Sequence, residues 1–141
     1  MYELNSKLKR VEAYDPIEGN YKIRLDANES CFNINEMLGD KIAEVVKSVA
    51  LNRYPDPTAS KVIKAFSDLY GLDPQYVTAG NGSDELISII CGCFLEKGDK
   101  VLTLSPDFSM YAFYSELYEL KVTNLPKDSV TLKIDIDKVI E

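Results

Sequence analysis

The chain has 141 residues, 45% of them hydrophobic, and a net charge of −7. This length allows one domain with a core, and the acidic balance argues against nonspecific nucleic-acid binding. With no histidine and with three cysteines that lack metal-ligand spacing, histidine-dependent catalysis is excluded and no metal site is expected. No apolar run of about 18 residues or signal peptide is present, so a cytoplasmic protein is predicted.

In the first half of the chain the pattern predicts an arm, a short strand and two helices. The first twenty residues are polar and turn-rich, and a strand is predicted at 22–25. Apolar spacing predicts helices over 34–51 and 61–70, the second ending at Gly71. Thr58 or Ser60 can cap this second helix. Its predicted buried face consists of Val62, Ala65, Phe66 and Leu69.

The second half alternates strands and helices. Strands are predicted at 76–79, 100–104 and 121–125, and the helices between them at 84–95 and 108–120. Strands separated by helices of this length favour parallel pairing with right-handed crossovers. The sequence therefore predicts an α/β fold.

A glycine turn, residues 79–85 with the letters AGNGSDE, joins the first of these strands to a helix. Two glycines allow a tight turn, and the first N–H groups of a helix attract anions, so the turn is predicted to bind a phosphate. Simple helix capping by Ser83 remains the alternative. The turn lacks the lysine of a P-loop and the third glycine of a dinucleotide site. Asp84 and Glu85 would have to direct their carboxylates away from a bound phosphate.

At the C-terminal end, residues 132–136 lead to Asp137, a plausible N-cap, and to only about one helical turn. We expect from this ending that the chain is truncated and that further strands would complete the sheet. Exposed strand edges and apolar faces would follow from their absence.

Four motifs together resemble a known family. They are residues 25–29, 52–57, 79–85 and 105–111, with the letters LDANE, NRYPDP, AGNGSDE and SPDFSMY. The resemblance is to the N-terminal part of histidinol-phosphate aminotransferases, fold-type I enzymes that use pyridoxal 5′-phosphate and transfer an amino group to 2-oxoglutarate. It implies an incomplete fold-type I fold in three segments. These are an arm and small-domain segment at 1–51, a linking turn and helix at 52–75, and the beginning of the cofactor-binding large domain at 76–141.

The resemblance also implies roles for individual residues. Gly82, Ser83 and Asp84 correspond to the turn that holds the cofactor phosphate, and Phe108 to an aromatic ring that stacks on the pyridine. Tyr54 corresponds to a tyrosine that reaches the phosphate of the neighbouring subunit, which implies a homodimer. Tyr14 and Asn28 correspond to positions near the substrate. Each residue also has a purely structural reading, as core, as part of a proline turn or as a turn residue.

In the family, the lysine that forms the Schiff base lies beyond the point where this chain ends, so no catalytic residue is assigned and the isolated chain is expected to be inactive. Lys61 imitates the sequence around that lysine but opens an amphipathic helix, and it is predicted to be a solvated residue. Three alternatives remain. They are a threonine-phosphate decarboxylase-like enzyme, a noncatalytic remnant that acts through dimerisation, and an unrelated phosphate-binding α/β module.

Overall fold

A computed structural model describes residues 3, 5–11 and 17–141, and their contacts divide them into two units. One unit takes the described residues of Met1–Ala13 together with Gln75–Glu141, and the other takes those of Tyr14–Pro74. The division into segments 1–51, 52–75 and 76–141 stays a prediction. No helix of the described residues is long and apolar enough to cross a membrane.

The 14–74 unit contains two helices, α1 (Ile34–Ser48) and α2 (Ser60–Tyr70). Both were predicted, and α1 ends three residues earlier than expected. It begins where the Asn33 side chain accepts a hydrogen bond from the N–H of Asn35 at 3.1 Å. The end of α2 is Gly71, whose φ of 66° places it in the left-handed conformation that glycine favours at helix ends.

Two other predictions for this unit are wrong. Residues 22–25 form no strand, because no neighbouring strand in the described part of the chain pairs with them. The predicted buried face of α2 is exposed at Val62, Phe66 and Leu69, and the buried residue of this helix is Ser67. Amphipathic spacing predicts a helix correctly, but burial depends on a partner surface that these residues do not have.

The other unit has the order α3 (Gly82–Cys93), β1 (Lys100–Ser105), α4 (Met110–Leu117), β2 (Lys121–Pro126) and α5 (Ile136–Ile140). The two strands pair in parallel, in a register that runs from Lys100 opposite Lys121 to Ser105 opposite Pro126. This confirms the predicted α/β order and parallel pairing.

The strand predicted at 76–79 is replaced by a 3-10 helix, Pro74–Tyr76, and an irregular segment. A strand requires a neighbour to satisfy its backbone N–H and C=O groups. The only sheet in the described residues is the two-stranded β1–β2 pair, and it provides no such neighbour for this segment.

The core of the unit is small and lies between α3, α4 and the sheet. Its buried apolar side chains, among the described residues, are Cys91, Met110 and Leu120. The hydroxyl of Ser115 donates to the carbonyl of Tyr111 at 2.7 Å and is also buried. A largely apolar cavity of about 410 Å³ remains between α3, β1 and α4. Apolar side chains of α3 and β1, such as Ile90 and Leu102, are also exposed. This exposed apolar surface agrees with the expectation of an incomplete sheet.

Helix α5 begins two residues earlier than predicted. Its N-cap is Asp135, whose carboxylate accepts from the N–H of Lys138 at 3.4 Å, and Asp137 lies within the helix. Both residues are aspartates near a helix start, so composition alone did not distinguish them.

Candidate functional site

The glycine turn adopts a conformation that explains both of its glycines. Gly82 has a φ of 77°, which side-chain-bearing residues rarely adopt, and its N–H donates to the carbonyl of Gly80 at 3.0 Å. A Cβ on Gly80 would lie 3.0 Å from a carboxylate oxygen of Glu85 and from the side chain of Leu86. The turn therefore favours glycine at 82 for its backbone, and at 80 a larger residue would be in tight contact with the side chains of Glu85 and Leu86.

Helix α3 starts at this turn with donors left open. Its N-cap, Asn81, makes no side-chain cap. Within the part of the chain that the structure describes, the N–H groups of Ser83 and Asp84 donate to no other group. Ser83 is exposed and Asp84 is half-buried. Because first-turn N–H groups carry partial positive charge, this end of α3 has the donor geometry that anions require.

The carboxylate of Glu85 turns back towards the start of the turn. One of its oxygens accepts from the backbone N–H of Asn81 at 2.5 Å and from the side-chain amide of the same residue at 3.2 Å. It therefore faces Asn81 instead of the open donors of Ser83 and Asp84. Its two hydrogen bonds thus go to the N-cap residue of α3.

Phe108 lies in the loop between β1 and α4, and its position is fixed by its neighbours. The Asp107 carboxylate accepts from the N–H of Phe108 at 2.8 Å and pairs with Lys127 at 3.6 Å. The backbone N–H of Lys127 in turn donates to the carbonyl of Ser105 at 2.7 Å, and the Ser105–Pro106 peptide bond is cis. These contacts connect the loops that follow β1 and β2.

The ring of Phe108 is 44% exposed and is not a core residue. It meets Tyr111 in a T-shaped contact, with ring centroids 5.8 Å apart and planes at 89°. The contact with Tyr111 leaves part of Phe108 accessible to a ligand.

The topology brings the glycine turn and the Phe108 loop to the same edge of the sheet. Helix α3 leads into the amino end of β1, and α4 leads from the carboxyl end of β1 to the amino end of β2. At the amino edge, the N–H of Gly98 donates to the carbonyl of Glu119 at 3.0 Å, which joins the ends of the two helices. The starts of α3 and α4 therefore both lie towards the carboxyl edge, where ligands of parallel α/β sheets bind.

The described residues of the 14–74 unit include two predicted site residues, Tyr54 and Asn28. Tyr54 is 98% exposed in its proline turn, so packing within this unit does not explain it. Asn28 is exposed with a φ of 52°, a conformation that asparagine tolerates better than most residues. Its presence thus has a backbone explanation, as the structural reading held. Tyr14 lies outside the described residues.

The N-cap of α2 is Ala59, which makes no side-chain cap, and the side chain that accepts at this helix start is Asp56, in place of the predicted Thr58 or Ser60. Its carboxylate accepts from the N–H and hydroxyl of Ser60, at 2.7 and 2.5 Å, and from those of Thr58, at 3.0 and 2.9 Å. These hydrogen bonds, those of Ser60 first, hold the pKa of the Asp56 carboxyl well below its usual range. Lys61, in the first turn of this helix, is exposed, in agreement with its reading as a solvated residue.

The sequence did not predict two contributors to the site, Asp107 as a support for Phe108 and Lys127, and it indicated Glu85 only as a charge that must avoid a bound phosphate. No capping box announces the contact of Glu85 with Asn81, because that motif places the glutamate three residues after the N-cap and Glu85 follows Asn81 by four. The pairing of Asp107 with Lys127 spans a strand crossover, and no local pattern announces it. No group of three or more potential metal-ligating side chains occurs in the residues searched, which are the described ones.

Known proteins resemble this chain along most of its length. Residues 20–141 match the family model described as aminotransferase class I and II. The chain is 41% identical over 134 residues to a curated histidinol-phosphate aminotransferase of Clostridium novyi, a match that covers 95% of this chain and 37% of that protein. The chain thus spans well under half the length of such relatives.

Two solved structures share the fold. Aspartate aminotransferase from Thermotoga maritima matches 97% of this chain and 41% of its own, with a TM-score of 0.72 at 18% identity. Histidinol-phosphate aminotransferase from Sinorhizobium meliloti, in complex with pyridoxal 5′-phosphate, matches 62% of this chain and 24% of its own, with a TM-score of 0.56 at 19% identity. The predicted fold-type I architecture, present here in incomplete form, is confirmed.

Proposed function

The chain belongs to the class I and II aminotransferases, and we propose that it forms part of an enzyme that transfers an amino group between histidinol phosphate and 2-oxoglutarate in histidine biosynthesis. The proposed cofactor is pyridoxal 5′-phosphate. The curated relative at 41% identity, named histidinol-phosphate aminotransferase, supports the substrate. The observation that carries the proposal is the pair of open N–H donors, at Ser83 and Asp84, where α3 begins at the glycine turn.

The residues of the turn fit the phosphate group of this cofactor. Two N–H donors and the Ser83 hydroxyl suit a multiply charged anion at a helix start. A Cβ on Gly82 would meet nothing within 4 Å, so a ligand can approach the backbone on that side. The carboxylate of Glu85, an unfavourable charge in the same turn, accepts its hydrogen bonds from Asn81. We therefore assign Gly82, Ser83 and Asp84 to the cofactor phosphate.

Phe108 would hold the flat ring of the cofactor by stacking on its exposed face. Asp107 and Lys127 fix the backbone of Phe108, and Tyr111 limits the tilt of its ring. Such a stacking contact contributes about 0.5–1.5 kcal/mol beyond burial. When bound, the cofactor serves as an electron sink for the carbon that carries the amino group. The residues of this chain bind and orient it.

We propose further that the enzyme is a cytoplasmic homodimer in which Tyr54 reaches the cofactor phosphate of the partner subunit. The 98% exposure of Tyr54 supports this role, since a tyrosine with a fully accessible hydroxyl is available to another chain. Tyr14 and Asn28 are proposed to lie near the substrate. No lysine of this chain is assigned to the amino-transfer step.

The test is amino transfer from histidinol phosphate to 2-oxoglutarate by the protein expressed from its complete natural gene. Ser83→Asp places a carboxylate among the donors. At about 4 Å in water it repels a dianion by about 2 kcal/mol, which predicts roughly 30-fold weaker cofactor binding. Ser129→Asp adds the same charge to an exposed loop of the same unit, and it is expected to change binding by less than about twofold.

Each other outcome overturns a defined part of the proposal. Amino transfer from another donor but not from histidinol phosphate would remove the substrate. Release of CO₂ from threonine phosphate would replace amino transfer by decarboxylation. Equal cofactor affinity in Ser83→Asp and Ser129→Asp would remove the glycine turn as the phosphate site.

A further inference from the structure

The side chain of Glu85 is unusual for a residue beside an anion site, because it brings a negative charge to the same helix start. The two hydrogen bonds that this carboxylate accepts come from Asn81, one from its backbone N–H and one from its side-chain amide. Gly80 leaves room for it, since a Cβ there would lie 3.0 Å from the same carboxylate oxygen. The carboxylate therefore lies in the space beside Gly80 and is hydrogen-bonded to the N-cap residue of α3.

We propose that Glu85 is a positioning residue that holds the turn from Gly80 to Gly82 in the conformation that presents the N–H groups of Ser83 and Asp84. It does so by accepting a hydrogen bond from the N–H of Asn81, which precedes the N–H groups of Ser83 and Asp84 in the chain. This inference rests on the proposed function, because it assumes that a phosphate occupies the remaining donors.

The physical reason lies in the freedom of the turn. Two glycines within three residues have many accessible conformations, and fixing each costs conformational entropy. The bond from Gly82 to the carbonyl of Gly80 closes one side of the turn, and the Glu85 carboxylate closes the other. Hydrogen bonds from an N–H to a carboxylate are among the stronger ones, so this contact decides the orientation of the open donors. Its charge weakens anion binding slightly, and its geometry strengthens it.

Three variants separate these two effects. Glu85→Gln removes the charge and keeps an oxygen that can accept from Asn81. Glu85→Ala removes both charge and acceptor. Glu85→Asp keeps the charge but is one methylene shorter, and it also covers the case in which the alanine variant fails to fold. The probe is pyridoxamine 5′-phosphate, whose amine, unlike an aldehyde, does not react with surface lysines; inorganic phosphate is the second probe.

Binding to the protein expressed from its complete natural gene is followed by NMR at the amide groups of Asn81, Ser83 and Asp84. In the unsubstituted chain, we expect both probes to shift Ser83 and Asp84 while Asn81 stays bonded to Glu85. Glu85→Ala and Glu85→Asp are expected to bind about threefold to tenfold more weakly than Glu85→Gln. Exchange of the Asn81 amide hydrogen is expected to be about two- to tenfold faster in these two variants.

The outcomes distinguish the inference from the proposed function. Equal binding by the glutamine and alanine variants, in a chain whose Ser83 and Asp84 amides respond to the probes, refutes positioning by Glu85. Unchanged exchange of the Asn81 amide hydrogen in Glu85→Ala refutes the hydrogen bond from Asn81 to Glu85. Failure of both probes to shift Ser83 or Asp84 in the unsubstituted chain refutes the phosphate site, and with it the proposed function of the turn.

Discussion

Gly92 of α3 is packed so closely that replacing it by alanine should reverse the usual effect of this substitution. A Cβ at position 92 would lie 2.7, 2.8 and 3.0 Å from Cε1, Cζ and Oη of Tyr118. The hydroxyl of Tyr118 forms a hydrogen bond of 3.0 Å with Ser88, one turn earlier in α3. The tyrosine therefore crosses α3 over the glycine and links α3 to the end of α4.

The change in the free energy of unfolding follows from one stabilising and two destabilising contributions. Replacing glycine by alanine in a helix stabilises it by about 1 kcal/mol. Overpacking costs about 1–3 kcal/mol, and loss of the Ser88 hydrogen bond when the ring moves costs about 0.5–1.5 kcal/mol. We expect Gly92→Ala to lower the free energy of unfolding by about 2 kcal/mol. In a Tyr118→Ala background only the helix propensity remains, so the same change should raise it by about 1 kcal/mol.

The assay is urea denaturation followed by far-ultraviolet circular dichroism, for the four members of the cycle. Gly39→Ala in α1 is the control, since its Cβ meets nothing within 4 Å and the substitution should stabilise by about 1 kcal/mol. If Gly92→Ala stabilises the chain equally with and without Tyr118, the ring does not pack on Gly92. The packing of α3 on α4 would then need another explanation.

Two further predictions concern the proline turn. The pKa of Asp56 is lowered from 3.8, so the ionised carboxylate stabilises the start of α2 fully above pH 3.8. Circular dichroism should show loss of helix as the pH falls below 3.8. The same loss in Asp56→Asn would contradict this role of the carboxylate. Tyr54→Phe should alter the free energy of unfolding by less than about 0.5 kcal/mol yet weaken cofactor binding about tenfold in the proposed dimer. The control is Tyr76→Phe, at a residue that is 81% exposed and outside the predicted site, which should change neither quantity. Equal cofactor affinities in the two variants would exclude the Tyr54 hydroxyl as a phosphate contact.

The sequence predicted the candidate site as separate segments, and it did so with different success for each. The glycine turn was found because its residue types are required locally: glycine for the φ of 77° at Gly82, and a helix directly after it. Phe108 could be identified only through resemblance, since an aromatic residue at a helix start is equally typical of a core. Its 44% exposure and its support by Asp107 and Lys127 come from the meeting of two loops that follow different strands.

Caps were predicted by residue type but assigned to the wrong positions in two helices. Asp56 replaces Thr58 and Ser60 as the acceptor at α2, and Asp135 replaces Asp137 at α5. Within a turn rich in Asp, Ser and Thr, several residues can accept the same N–H groups. The backbone conformation selects among them, as at Ala59, whose φ of 51° allows Asp56 to reach forward.

By itself the sequence determined the helices, the two paired strands and the position of the glycine turn before α3, because these depend on interactions within a few residues along the chain. Only the tertiary structure decided which strands form and which faces are buried. Residues 76–79 remain irregular, and the apolar face of α2 is exposed, although both patterns are locally favourable. Pairing and burial need a second surface, and whether one is present is not encoded in the segment that requires it.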